Sequence, residues 1–362
     1  MTFLNTAAFS LALLAIPVVT MYATSSPRTD GPTELGTVDW LRDFDVAMEL
    51  AQRETRPVLV LFQEIPGCAT CVDFGRLSLS HPLLVEAIET EFIPLAIHNN
   101  KSGPDAEVCA RFNEPSWNFP VVRFLADDAS DIIAREERVW TSGPLAARMI
   151  QALETAGQPV PGYLEVVAAE ESGASRAETA VFAMDCYWEG EARFGSVDGV
   201  LATRAAWQDG LEVVEVTFDV ETLSFTELAK HGQEVQCASR IFAQDDEQDE
   251  AARQLAGDAV VRSGSASAMR PAQDSDQKYH LKRTALRYLP LTPMQAARVN
   301  AALLSRADVK QYLSPHQWEL AAAIDAALGK NPSALEGFTP PEAISELAEY
   351  TRRLEAVVNV RD

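Results

Sequence analysis

PVLVLFQEIPGCATCVDF, residues 57–74, decides how the first half of the chain folds. Its opening run, PVLVLFQ, is continuously apolar and short, which predicts a strand. A Gly/Pro break follows, and a helix starts near Cys68. Upstream, the apolar periodicity over 39–53 predicts a helix. Downstream come a helix in HPLLVEAIETEF, a strand in IPLAIHN, a strand VVRFL after Pro120, and a closing helix in TSGPLAARMIQALETAG. Strands alternating with helices at this spacing imply an α/β unit with parallel pairing over residues 36–157.

Residues 158–177 are rich in Pro, Gly, Ser and Glu and read as a linker or a short connecting helix. A second region, 178–290, combines a strand AVFAMD, a helix from Cys186, strands GVLATRAAW and LEVVEVTFD, and a helix capped by Ser224. Residues 291–362 read as a helical extension, its three helices opened by Thr-Pro, Ser-Pro and Pro-Pro. The acidic run QDDEQDEAA (244–252) reads as a solvated helix start, because it lacks the central glycine and ligand spacing of a calcium loop.

The chain has 362 residues, enough for two domains at roughly 100–200 residues each. Against 30 Lys and Arg stand 53 Asp and Glu, a net charge of -23. Such a surface repels phosphate backbones and argues against nucleic-acid partners. Residues 6–23, TAAFSLALLAIPVVTMYA, form an uncharged apolar run with a polar exit. That is the pattern of a secretory signal or N-terminal membrane anchor, so residues 1–35 are expected to direct an exported or membrane-anchored protein, the alternative being cytoplasmic. The five histidines lie far apart, and no metal site or cofactor is expected.

Five cysteines are too few for a disulfide scaffold, and one close pair, Cys68 and Cys71, suggests redox use. A Cys-x-x-Cys delivered by a strand to a helix N-terminus has a physical purpose. Unpaired N–H groups and the helix dipole stabilise a thiolate on the first sulfur, and the second can resolve a mixed disulfide. This arrangement resembles the thioredoxin fold, with Phe119-Pro120 standing where that fold carries a cis-proline facing the active site. The resemblance implies Cys68 as nucleophile, Cys71 as resolving thiol and Pro120 as the cis-proline.

The second region carries another thiol in context, AVFAMDCYWEGEARFGSVDGV (180–200). Asp185-Cys186-Tyr187-Trp188-Glu189 resembles the Gly-Cys-Phe-Trp-Gly signature of the A-type peptide methionine sulfoxide reductases, with two of its glycines replaced. LEVVEVTFD, and further on DSDQKY, continue the likeness over about 178–290. The resemblance implies an α+β two-layer reductase domain following the thioredoxin-like one. Cys186 would attack the sulfoxide sulfur and become a sulfenic acid. Glu212 would protonate the oxygen, Tyr279 would donate to it, and Asp274 falls on the family's aspartate. Tyr187, Trp188 and Trp207 would receive the substrate. Cys237 is the in-domain resolving candidate, and Cys68 and Cys71 would then reduce the resulting disulfide. The expected partners are oxidised methionine in peptides or proteins, for a repair function, and an upstream dithiol reductant. The competing expectation is an exported thiol-disulfide oxidoreductase using Cys68 and Cys71, with a non-catalytic C-terminal region.

Overall fold

A computed structural model describes residues 31–359 except 118–119, 236–238 and 263–265. The signal-like run, Phe119 and Cys237 therefore lie outside the described residues. The elements are α1 (Phe44–Glu54), β1 (Val58–Gln63), α2 (Ala69–Asp73), α3 (Pro82–Glu91), β2 (Ile93–His98), α4 (Pro104–Arg111), β3 (Val121–Leu125) and α5 (Ser142–Thr155). A junction helix α6 (Gly162–Gly173) leads to β4 (Ala177–Ala183), α7 (Tyr187–Gly195), β5 (Val200–Gln208), β6 (Leu211–Asp219), α8 (Phe225–Glu234), β7 (Arg240–Ala243), α9 (Asp246–Ala256), β8 (Val260–Arg262) and β9 (Arg270–Pro271). The chain closes with α10 (Tyr279–Lys282), α11 (Pro293–Ser305), α12 (Pro315–Lys330) and α13 (Ile344–Val358). Among the described residues no helix is long and apolar enough to cross a membrane.

The first sheet has the order β2-β1-β3, with β2 parallel and β3 antiparallel to β1. Every residue of β1 is buried. Leu59 and Leu61 enter one core with α3 and α5, while Val58, Val60 and Phe62 enter another with α1 and α4. The two-residue period of a strand divides one apolar run between two cores, each large side chain worth about 1.5–3 kcal/mol of burial. Helix α1 begins at Phe44, five residues later than the periodicity of 39–53 suggests. Asp43 caps it by accepting from the Val46 N–H, and Leu41 is spent on a parallel bridge to Leu95 of β2.

The second sheet has the order β8-β7-β4-β6-β5-β9. Asp209 and Gly210 turn β5 into β6 with φ of 50° and 76°, the left-handed pair that a two-residue hairpin needs. Helices α7 and α8 cover one face, where Phe182 stacks on Phe194 at 4.8 Å. Ser224 and Glu227 close a capping box on α8. Helices α11 and α12 likewise start at Thr292 and Ser314, each with a glutamine three residues on completing the box. The Pro-Pro pair does not open α13. The helix starts instead at Ile344, after Ala343, without a side-chain cap.

Helix α6 ties the halves together. Its Tyr163, Leu164 and Val167 pack into the first core, while Val166 meets Leu201 of β5 and Met294 of α11. Glu170, buried in this junction, accepts from the Met294 N–H at 2.8 Å and so caps α11. Burial pushes its carboxyl up to about 7, against hydrogen bonds from Thr292 and Met294. The folded state therefore prefers protonated Glu170. That stability is fully present below the unfolded carboxyl value near 4.5 and is lost as pH rises through about 7. Glu170→Gln should remove this component, gaining up to roughly 3 kcal/mol over wild type at pH 8 and nothing near pH 4. Urea unfolding at the two pH values checks it; equal gains at both would contradict it.

Candidate active site

Two thiol centres stand at corresponding places, each where a strand runs out into a helix. In the first, Cys68 is the extended N-cap residue of α2 and Cys71 lies fully buried in its first turn, with the sulfurs 3.5 Å apart. Burial opposes ionisation of Cys68, but the backbone N–H groups of Cys71 and Thr70 with their side chains outweigh it, and the Cys68 pKa lies below the ordinary thiol value. Burial and the adjacent Cys68 push Cys71 up to about 11. One thiol is poised to attack and its partner is held protonated. Alkylation followed thiol by thiol should modify Cys68 about 100-fold faster than Cys71 near pH 7.5. Equal rates would contradict the assignment.

The loop holding Cys68 is fixed by residues the motif does not include. A Cβ on Gly67 would come within 2.5 Å of the Cys71 Cβ and 2.6 Å of the Glu64 carbonyl oxygen, so only glycine fits. The Gly67 N–H donates to the buried Glu34 carboxylate at 2.7 Å, and the buried Gln63 amide donates to the Glu34 and Cys71 carbonyls. Pro120 sits at this end of the sheet, ahead of the Val121–Phe62 pair, and its carbonyl accepts from Trp140 Nε1 at 3.1 Å. The peptide bond that would make it a cis-proline involves Phe119, outside the described residues. The cis peptide found among the described residues is Ile65–Pro66. Cys109 is a core thiol in the pocket between α4 and the sheet.

In the second centre Cys186 is the half-buried, extended N-cap residue of α7. Glu212, on the neighbouring strand β6, accepts from the Tyr187 N–H at 2.8 Å, which brings its carboxylate to the same helix N-terminus as the Cys186 sulfur. The Met184 N–H donates to the Glu212 carbonyl, fixing β4 to β6 just before the cysteine. Tyr187 is buried beneath Trp188 and Trp207, with ring centroids at 6.1 and 5.7 Å. Its hydroxyl is pushed up to about 12, first by burial, then by the charges of Asp276 and Glu212, by a hydrogen bond to Asp276, and by Cys186. Cys186, Tyr187, Glu212 and Asp276 thus share one neighbourhood.

Trp188 stacks on Tyr279 at 3.9 Å, and the Arg283 guanidinium covers Tyr279 at 3.9 Å. The buried Trp188 Nε1 has no hydrogen-bond partner, leaving one donor unspent at the cluster. Glu189 is held by Arg193 one turn on at 2.7 Å, and Asp185 is exposed. Fully buried Glu191 is structural, receiving the backbone N–H and ammonium of Lys278.

The structure therefore brings together Cys186, Tyr187, Trp188, Trp207, Glu212 and Tyr279. It does not bring in Asp274, whose side chain is 74% exposed and paired with Lys282. Asp274 opens the short helical turn and faces outward, while Asp276 at its end reaches the Tyr187 hydroxyl. Register with the family signature favours Asp274, and nothing in the acidic run itself separates the two. Glu34, Gln63 and Arg283 are likewise missed by sequence, because none lies within a motif.

Residues 39–126 match the family model described as thioredoxin-like, and the chain carries an N-terminal thioredoxin-like domain. No curated protein matches the chain. Among solved structures, one described as DsbH Oxidoreductase aligns with 36% of this chain and 95% of its own at 13% identity, with a TM-score of 0.29.

Proposed function

We propose that this chain reduces methionine S-sulfoxide in peptides or proteins through Cys186, with the thioredoxin-like domain supplying the electrons. The observation that carries this reading is the Glu212 carboxylate seated on the Tyr187 N–H, directly after Cys186 and at the same helix end. Glu212 takes the proton of the Cys186 thiol and passes it to the sulfoxide oxygen as the Cys186 sulfur attacks the electrophilic sulfoxide sulfur. Tyr279, stacked on Trp188, donates a hydrogen bond to that oxygen, and the Tyr187–Trp188–Trp207 wall receives the methyl group. Methionine leaves two electrons richer, and its oxygen remains on Cys186 as a sulfenic acid. A second thiol, with Cys237 as the in-domain candidate, condenses with it and releases water. Cys68 then attacks the resulting disulfide, Cys71 resolves it, and an upstream dithiol restores the pair.

On this reading residues 36–157 are the donor, 178–290 the reductase and 291–362 a helical brace. Protein repair in an exported or membrane-anchored setting is the role proposed with it. The test is turnover of a methionine S-sulfoxide peptide by wild type and by Cys186→Ser. One observation favours a second reading, a thiol-disulfide oxidoreductase acting on client disulfides. Cys68 and Cys71 form a complete, asymmetrically tuned dithiol without help from the C-terminal half.

A further inference from the structure

A cleft of about 430 Å³ lies between α3 of the thioredoxin-like domain and the C-terminal helices α12 and α13, and neither Cys68 nor Cys186 lines it. Leu83 and Leu347 give it an apolar wall. Pro82, Glu86 and Glu89 follow at helical spacing along α3 and present one face to it. At its inner end His81 is only 4% exposed, and neither ring nitrogen has a hydrogen-bond partner. The nearest carboxylate, Glu171, is 3.9 Å from Nε2, beyond hydrogen-bond reach. A buried ring with two unspent polar atoms costs free energy unless something in the cleft meets it. Burial drives that ring down to about 4, so it is neutral at neutral pH and has a lone pair to offer.

The charge left over in the cleft is negative. Glu86 accepts from the His316 N–H and from Ser314 and feels the His316 charge, while Glu89 accepts from the Asp39 N–H alone; burial is the largest influence on both and raises the pKa of each. The cations present are already engaged, His316 by Glu355 at 2.9 Å and Arg352 by Glu349. The leucine wall beside these carboxyls suits a cation that carries an alkyl chain.

We infer that the cleft is a binding site for a small primary alkylammonium ion, its charge held by Glu86 and Glu89, its chain laid on Leu83 and Leu347, and His81 meeting an N–H at the inner end. A bound cation would favour the ionised form of both carboxyls, offsetting the cost of their burial. It would also bridge the two halves of the chain.

The probe is n-butylammonium chloride, titrated into the full reduced chain at pH 7.5 by calorimetry, with the His81 ring signals followed by NMR. Saturable one-to-one binding with a shift of the His81 signals is expected, and sodium butyrate should produce neither. The paired substitution Glu86→Gln and Glu89→Gln should weaken binding at least tenfold while leaving Cys68 alkylation unchanged. Non-saturating heats, unmoved His81 signals, equal binding of butyrate, or undiminished binding by the double variant would each overturn the assignment. Should the double variant not fold, the contrast between butylammonium and butyrate on wild type decides alone.

Discussion

Cys186→Ser should abolish methionine S-sulfoxide reduction, lowering turnover by at least about 10³-fold. A serine hydroxyl cannot form the sulfur–sulfur bond through which the oxygen is transferred, and Cys186 is the thiol at the helix end that the Glu212 carboxylate occupies. The loss would not reflect unfolding. Cys186 is half-buried at a helix cap, where serine is a favoured residue and costs nothing in packing. Reduction of a disulfide such as that of insulin, assayed in the same preparation, should persist because it draws on Cys68 and Cys71. Turnover of the sulfoxide by the serine variant would place the chemistry elsewhere. Loss of both activities together would point to damage rather than to mechanism.

The second large effect separates donor from acceptor. With a thioredoxin-type protein reductant, Cys68→Ser should bring sulfoxide turnover to background. With dithiothreitol, which reaches the oxidised Cys186 centre directly, the rate should stay within about twofold of wild type. The split follows from the asymmetry of the first centre. Cys68 is the thiol with the depressed pKa at the end of α2, and Cys71, raised to about 11, cannot replace it as attacking group. Steady-state assays of the variant with each reductant read this directly. Equal loss under both would mean that Cys68 supports the fold or the substrate site. Equal retention under both would remove the thioredoxin-like domain from the electron path and favour its action on separate client disulfides.

Local chemistry explains which parts of this architecture can be read from sequence. The run 57–63 can be read as a strand because it is short and continuously apolar, a pattern that follows from β1 being buried at every position, and LEVVEVTFD coincides with β6 because its flanking turns carry Asp-Gly and a Ser cap. The cysteine pair and Cys186 are legible because each follows a strand and opens a helix. Glu34 is not, since it reaches the Gly67 N–H from a short turn thirty-three residues upstream, and only tertiary folding brings it there. Helix α6 falls in a stretch that composition marks as a connection. It packs against both halves of the chain, so it has no polar face to give it an amphipathic pattern, and the capping role of Glu170 is hidden with it. Asp274 and Asp276 differ by two positions in one turn, and the backbone, not the residue type, sends one to solvent and the other to Tyr187.

The most direct test uses no reductant and a single turnover. Fully reduced Cys68→Ser protein, in which the oxidation cannot pass on to the Cys68–Cys71 pair, is mixed with one equivalent of a methionine S-sulfoxide peptide, quenched with a sulfenic-acid trap and analysed by peptide mass spectrometry. The expected result is one equivalent of reduced methionine, matched by Cys186 carrying the trapped sulfenic acid or a disulfide formed from it. An unreduced peptide, or a reduced one with Cys186 still a free thiol, would contradict the account.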